Sequence, residues 1–212
     1  MPIIECTDVA KSFKGVPLLS GVDLTVEEGR IYGLTGPNGS GKSVLLKMLC
    51  GFISPDSGTV AIDPAYMSAG AVFPQEFGVI IDRPAYIAGL SGLDNLLGLA
   101  RIRNVIGEEE VRAAMASIGL DPASRTKVGR YSLGMKQKLS IVQATMEHQR
   151  MLVLDEPFNA LDKSSVAHVR AMLDEHRANG GTIILTSHND ADIELLADEV
   201  HEIDGGTLTR VR

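Results

Sequence analysis

Long apolar runs are missing from this sequence. No uninterrupted stretch approaches the ~20 residues that a bilayer-spanning helix needs, so the chain is not expected to cross a membrane by itself. The opening residues, Met1-Pro2-Ile3-Ile4-Glu5, carry no signal-peptide pattern. Cysteine is scarce. Cys6 and Cys50 stand far apart and in no metal-ligand spacing, which argues for two ordinary thiols in a reducing compartment. Positive charge is not in excess either: 20 Lys and Arg face 27 Asp and Glu, for a net charge of -7. Such a surface repels phosphate backbones, so nucleic acid is not an expected partner. Repeats, low-complexity tracts and long linkers are also absent. What remains is an ordinary globular composition, 44% hydrophobic and 22% charged, in 212 residues. That length suits one domain with a sizeable core.

The first third reads as strands and tight turns. Ile3-Glu5, Val22-Val26 and Arg30-Thr35 are strand candidates, with a turn at Glu28-Gly29. An apolar helix follows around Val44-Leu49, then a turn at Pro55-Gly58, a strand at Thr59-Ile62 and a buried strand at Phe77-Ile81. The middle is helical. Ser91 with Asp94 reads as a helix start, Glu108 to Ile118 is acidic in its first turn, and Met135 to Met146 completes the set. The last third alternates: Met151-Leu154, Thr182-Thr186 and Glu199-Ile203 as strands, Ser164-Asn179 and Asp190-Ala197 as helices. A hairpin turn at Asp204-Gly206 leads into Leu208-Val211. This alternation predicts an α/β fold with a parallel sheet covered on both faces.

One string carries chemistry by itself. Gly36-Pro37-Asn38-Gly39-Ser40-Gly41-Lys42-Ser43 has the G-x-x-x-x-G-K-S pattern, follows an apolar strand and opens a helix. Glycines let backbone N–H groups converge on phosphates, and the helix N-terminus adds partial positive charge. Lys42 is placed to reach the β and γ phosphates of ATP, and the Ser43 hydroxyl to coordinate Mg²⁺. A second element fits the same chemistry. Met151-Leu154 ends in Asp155-Glu156, where Asp155 can hold Mg²⁺ and Glu156 can polarise an attacking water. No N-K-x-D string for reading guanine is present, and the chain is expected to hydrolyse ATP.

At this point the residues resemble the ATP-binding-cassette (ABC) family of ATPases, over nearly the whole chain. The most specific element is Tyr131-Ser132-Leu133-Gly134-Met135-Lys136-Gln137-Lys138, similar to the family signature L-S-G-G-Q, with Leu133 in place of a glycine and Met135 in place of the glutamine. Asn159-Ala160-Leu161-Asp162 is similar to the loop linking two subunits' sites. The resemblance implies a phosphate-loop NTPase core, an N-terminal antiparallel β subdomain and an inserted helical subdomain over about residues 83–145. It implies that His188 contacts the γ-phosphate, that Phe13 stacks on adenine, and that Val44 with the phosphate loop and Ser132 and Gly134 of the opposite subunit complete the site. One departure stands out. The family glutamine that touches Mg²⁺ is replaced: Asp82, followed by Pro84, aligns best with it, and Gln75 is the competing candidate. An acid there together with a Y-S-L-G-M-type signature resembles peptide and antibiotic exporters.

The implied mechanism is a head-to-tail pair, of like or unlike cassettes, closing on two ATP molecules and opening on hydrolysis. Transmembrane permease subunits docked near Asp82 and the helical insert would be driven by that cycle, with the chain on the cytoplasmic face of the cell membrane. A non-transport ABC ATPase and a non-hydrolysing regulatory cassette are the alternatives. Glu156 and His188 argue against the second.

Overall fold

The computed structural model describes residues 2–68, 70–82 and 86–212. Pro84 and the first residues of the expected helical insert lie outside that set. Three strands, β1 (Pro2–Phe13), β2 (Val16–Glu27) and β4 (Ser57–Ile62), form an antiparallel sheet in the order β2-β1-β4. A second sheet joins β5 (Phe77–Ile80), β6 (Met151–Leu154), β7 (Thr182–Thr186), β3 (Ile31–Thr35), β8 (Glu199–Asp204) and β9 (Thr207–Arg210), in that order. Its first five strands run parallel, and β9 closes the edge antiparallel to β8.

Continuous apolar runs make sense in this sheet because both faces are buried. Along β6, Leu152 and Leu154 belong to one core, while Met151 and Val153 belong to the other. In β7, Ile183 and Leu185 join the first core and Ile184 the second. The two-residue period of a strand thus sorts one hydrophobic string into two cores. The first core lies under helices α2 (Gly92–Arg103), α3 (Glu108–Ser117), α4 (Leu133–Thr145), α5 (Lys163–Ala178) and α6 (Asp190–Leu196). The second holds α1 (Lys42–Leu49) and the antiparallel sheet. Cys6 and Cys50 sit in the second core, where burial pushes both thiols up to about 12.

The first strands are much longer than local sequence indicates. β1 continues through polar Asp8, Lys11 and Ser12 because each of its edges pairs with a neighbouring strand. Register shifts absorb the kink at Asp8, whose φ is 49°. Elsewhere the helix starts follow the local chemistry. Ser91 accepts from the Asp94 N–H at 3.1 Å, and Ser132 from the Met135 N–H at 3.2 Å. Asp162 caps α5 through the Ser165 N–H, which holds its carboxyl down to about 2.

Helices α2, α3 and α4 contact one another and form the helical insert. Two features seat it on the core. Arg103 at the end of α2 bridges Glu76, 2.8 Å away, and Glu147, 3.2 Å away. Gly78 in β5 lies directly against the end of α4, so a methyl group there would stand 1.8 Å from the Ala144 carbonyl oxygen. Gly78→Ala is therefore expected to lower unfolding stability by about 1–3 kcal/mol, the usual cost of overpacking. Urea denaturation followed by circular dichroism measures it. An unchanged midpoint would mean that α4 can retreat freely from the sheet.

Candidate active site

The phosphate loop connects β3 to α1, and its shape depends on glycine at two points. Gly36 has φ 130°, and a Cβ there would lie 2.3 Å from the Ile203 carbonyl oxygen. Gly41, the residue capping α1, has φ 109° and packs on Leu19. Neither position accepts an L side chain without strain. Lys42 is nearly buried and donates to the carbonyls of Gly36 at 2.6 Å and Pro37 at 3.0 Å. The loop thus curls around its own ammonium group. Ser40 Oγ is buried and makes no hydrogen bond to the described residues, an orphan that a phosphate oxygen would satisfy.

β6 and β7 bring the acids to this loop. Their parallel register with β3 places strand ends Leu154, Thr186 and Thr35 on one edge, the usual ligand-binding edge of an open α/β sheet. Asp155 Oδ2 accepts from Ser43 Oγ at 2.5 Å, and Asp155 Oδ1 accepts from Thr186 Oγ1 at 2.7 Å. Thr186 Oγ1 in turn accepts from the Glu156 N–H at 2.8 Å. One hydroxyl therefore holds the carboxylate of Asp155 and the backbone of Glu156. Glu156 Oε2 accepts from the His188 N–H at 3.0 Å. Its Oε1 is buried, lies 3.4 Å from His188 Nε2 and hydrogen-bonds nothing among the described residues. Burial raises the Glu156 carboxyl above the usual carboxylate range, against the pull of the His188 N–H and ring. A carboxylate that is hard to keep charged and has one free oxygen is suited to take a proton from water.

Leu18, Asn38, Gly39, Gly41, Lys42, Ser43, Val44, Asp155, Glu156 and His188 enclose a cavity of about 250 Å³. Ser132 and Gly134 are not among these residues. They line a separate cavity of about 670 Å³ with Ala160, Leu161 and Asp162. Phe13 stands at the end of β1, 47% exposed, with Lys11 Nζ 5.8 Å from its ring centre. Asp82 leaves β5 with φ 60° and pairs with Lys47 at 2.5 Å, outside the residues of the phosphate-loop cavity. Gln75 accepts from Ser68 Oγ at 2.6 Å, within the turn that precedes β5.

Sequence reasoning missed Thr186. The only signal was a hydroxyl closing a buried apolar strand just before His188. It also missed the support behind His188. Ser187 Oγ donates to buried Asp192 at 2.9 Å, and Asp192 pairs with Arg170 of α5.

The family model for ABC transporter matches residues 19–159. An ABC transporter ATP-binding protein of Bacillus subtilis strain 168, YybJ, is 37% identical over 97% of this chain and 94% of its own length. The bacitracin transport ATP-binding protein BcrA of Enterococcus faecalis is 34% identical over 97% of this chain and 68% of its own length. A bacterial ABC transporter cassette solved as a dimer superposes with a TM-score of 0.85, at 21% identity, over 99% of both chains, a likeness that carries the fold alone. The chain belongs to the ABC transporter family. Within it, this is an ATP-binding subunit, the ATPase part of a transporter. No helix among the described residues is long and apolar enough to cross a membrane.

Proposed function

We propose that two such chains close head to tail on two ATP molecules, hydrolyse them, and so drive separate membrane subunits, in the direction of export. The observation that carries this reading is the division of the site. The phosphate-loop cavity holds Lys42, Ser43, Asp155, Glu156 and His188, whereas Ser132 and Gly134 face a different cavity of the same chain. A nucleotide that uses both needs a second copy. The 212 residues act as one cassette, with α2 to α4 as the insert that presents the capped N-terminus of α4.

Each residue then has a task. Lys42 swings from the Gly36 and Pro37 carbonyls to the β and γ phosphates. Backbone N–H groups of residues 38–44 and the α1 N-terminus hold the remaining phosphate oxygens. Phe13, with one face open, stacks on adenine. Ser43 Oγ and Asp155 Oδ2 form a hard oxygen pair that fits Mg²⁺, which when bound supplies positive charge for the phosphate oxygens. Glu156 Oε1 takes the proton of the attacking water, and His188 holds the γ-phosphate. Asp82, paired here with Lys47, would be a further oxygen ligand on the metal side of the site. Catalysis here is positioning plus charge stabilisation.

Asp82 together with the Tyr131–Met135 signature supports export, and the relative named for bacitracin transport supports a role in transport. Next to Lys47, the partner of Asp82, lies an exposed apolar cluster. Phe52 and Phe73 meet edge to face at 5.6 Å with Val72 next to them, and the Phe52 N–H bonds the carbonyl of Lys47. This cluster is a fitting seat for a membrane subunit at the inner face of the membrane.

A mixing experiment tests the arrangement. Lys42→Ala and Ser132→Arg chains should each be nearly inactive alone. Mixed, they should recover ATPase activity, because the paired chains rebuild one intact site. A mixture no more active than its components would remove the head-to-tail pairing.

A further inference from the structure

Gln137 lies in the second turn of α4, one turn past Ser132 and Gly134. Its Nε2 donates to the Pro157 carbonyl at 2.9 Å and approaches the Glu156 carbonyl at 3.4 Å. Two carbonyl oxygens on one side leave no doubt about the amide orientation, since the reverse would set oxygen against oxygen. The segment it grips is unusual. Glu156 has φ 52°, a left-handed conformation that a residue with a side chain adopts only when its surroundings impose it. Pro157 has no N–H to offer the local backbone.

Glu156 is thus held from three sides. Thr186 Oγ1 takes its N–H, the His188 N–H takes its carboxylate, and Gln137 reaches the carbonyls of Glu156 and Pro157. Only the third hold comes from the helical insert. The same helix touches the far end of the turn: a methyl group at Gly134 would lie 2.7 Å from the Ala160 carbonyl oxygen, and Ala160 itself has φ 62°. So α4 grips both ends of residues 156–160, and its Ser132-capped N-terminus lies only one turn from Gln137.

We infer that Gln137 is a positioning residue. It sets the strained backbone of Glu156 in its own chain, and it transmits to that site any shift of α4 caused by the nucleotide bound to the other chain. The inference rests on the reading above, in which Glu156 takes the water proton and Ser132 and Gly134 face the partner's ATP. A displacement of α4 along its axis would move the Pro157 and Glu156 carbonyls directly, and with them the carboxylate. One glutamine would then link the occupancy of one site to the readiness of the other.

The test is Gln137→Met, which preserves length and helix propensity and removes the donor. On the full chain with Mg-ATP, kcat is expected to fall about 10- to 100-fold, as for a small misplacement of a reacting group, while KM stays within about twofold. Gln137→Glu, of the same shape but offering oxygen in place of the N–H, should lose at least as much. Because Gln137 acts through Glu156, combining Gln137→Met with Glu156→Gln should slow single-turnover hydrolysis no further than Glu156→Gln alone. Wild-type kcat in both Gln137 variants, or full additivity with Glu156→Gln, would overturn the inference. If Glu156→Gln itself turned over like wild type, the failure would belong to the assignment of Glu156, and the Gln137 result would tell the two apart.

Discussion

Glu156→Gln is expected to bind ATP, to lose about 100- to 10,000-fold in kcat, and to accumulate as an ATP-bound dimer. Glutamine keeps the shape and the acceptor that the His188 N–H needs. It cannot take a proton from water. The geometry makes that loss severe because no second acceptor among the described residues is placed to help. Asp155 has both oxygens engaged, one with Ser43 and one with Thr186. The His188 side chain is turned outward beside Glu156 Oε1. Burial also raises the basicity of Glu156, so the residue removed is a better base than an exposed carboxylate. Steady-state phosphate release reads the rate, and size-exclusion chromatography with light scattering, with and without ATP, reads the dimer. More than a tenth of wild-type turnover in this variant would sink the assignment.

Lys42→Ala should cost about 3 kcal/mol of ATP binding, roughly a 100-fold rise in Kd, since a charge-assisted contact to phosphate is lost from a nearly buried position. The residue also satisfies the Gly36 and Pro37 carbonyls, so part of the effect comes through the loop. Lys42→Arg separates the two contributions. It keeps the charge and should hold the loop, while its broader head fits the narrow cradle poorly. Isothermal titration with ATP measures all three proteins. An unchanged Kd for Lys42→Ala would remove the premise that the loop holds nucleotide.

Much of the fold was legible beforehand because its signals are local. Met151-Leu154 reads as a buried strand from four consecutive apolar residues, and Ser91 and Ser132 mark helix starts by side-chain caps that act within one turn. The long first hairpin was less legible. Its polar residues Asp8, Lys11 and Ser12 break the strand period, and pairing with β2 and β4 holds that stretch extended. The site divides in the same way. Lys42, Ser43, Asp155 and Glu156 announce themselves by position next to a glycine loop or at a strand end. Thr186 and Gln137 do not, because a threonine in a strand and a glutamine in a helix are ordinary by every local measure. The Lys47 partner of Asp82 was equally invisible, since the pair joins a helix to a strand end 35 positions away.

The sequence alone determined where the glycine-rich loop from Gly36 to Ser43 lies and that two acids, Asp155 and Glu156, close a buried apolar strand. Glycine content, apolar period and strand-end charge act over a few residues and need no fold to be read. Tertiary structure decided which side chains meet. The parallel crossovers bring Asp155 to Ser43 across 112 positions and Thr186 to Asp155 across 31, and they split one apolar string between two cores. They also leave Ser132 and Gly134 at a different cavity from Lys42. Contacts at such separations follow from how strands order in a sheet, a property of the whole chain that no local pattern encodes.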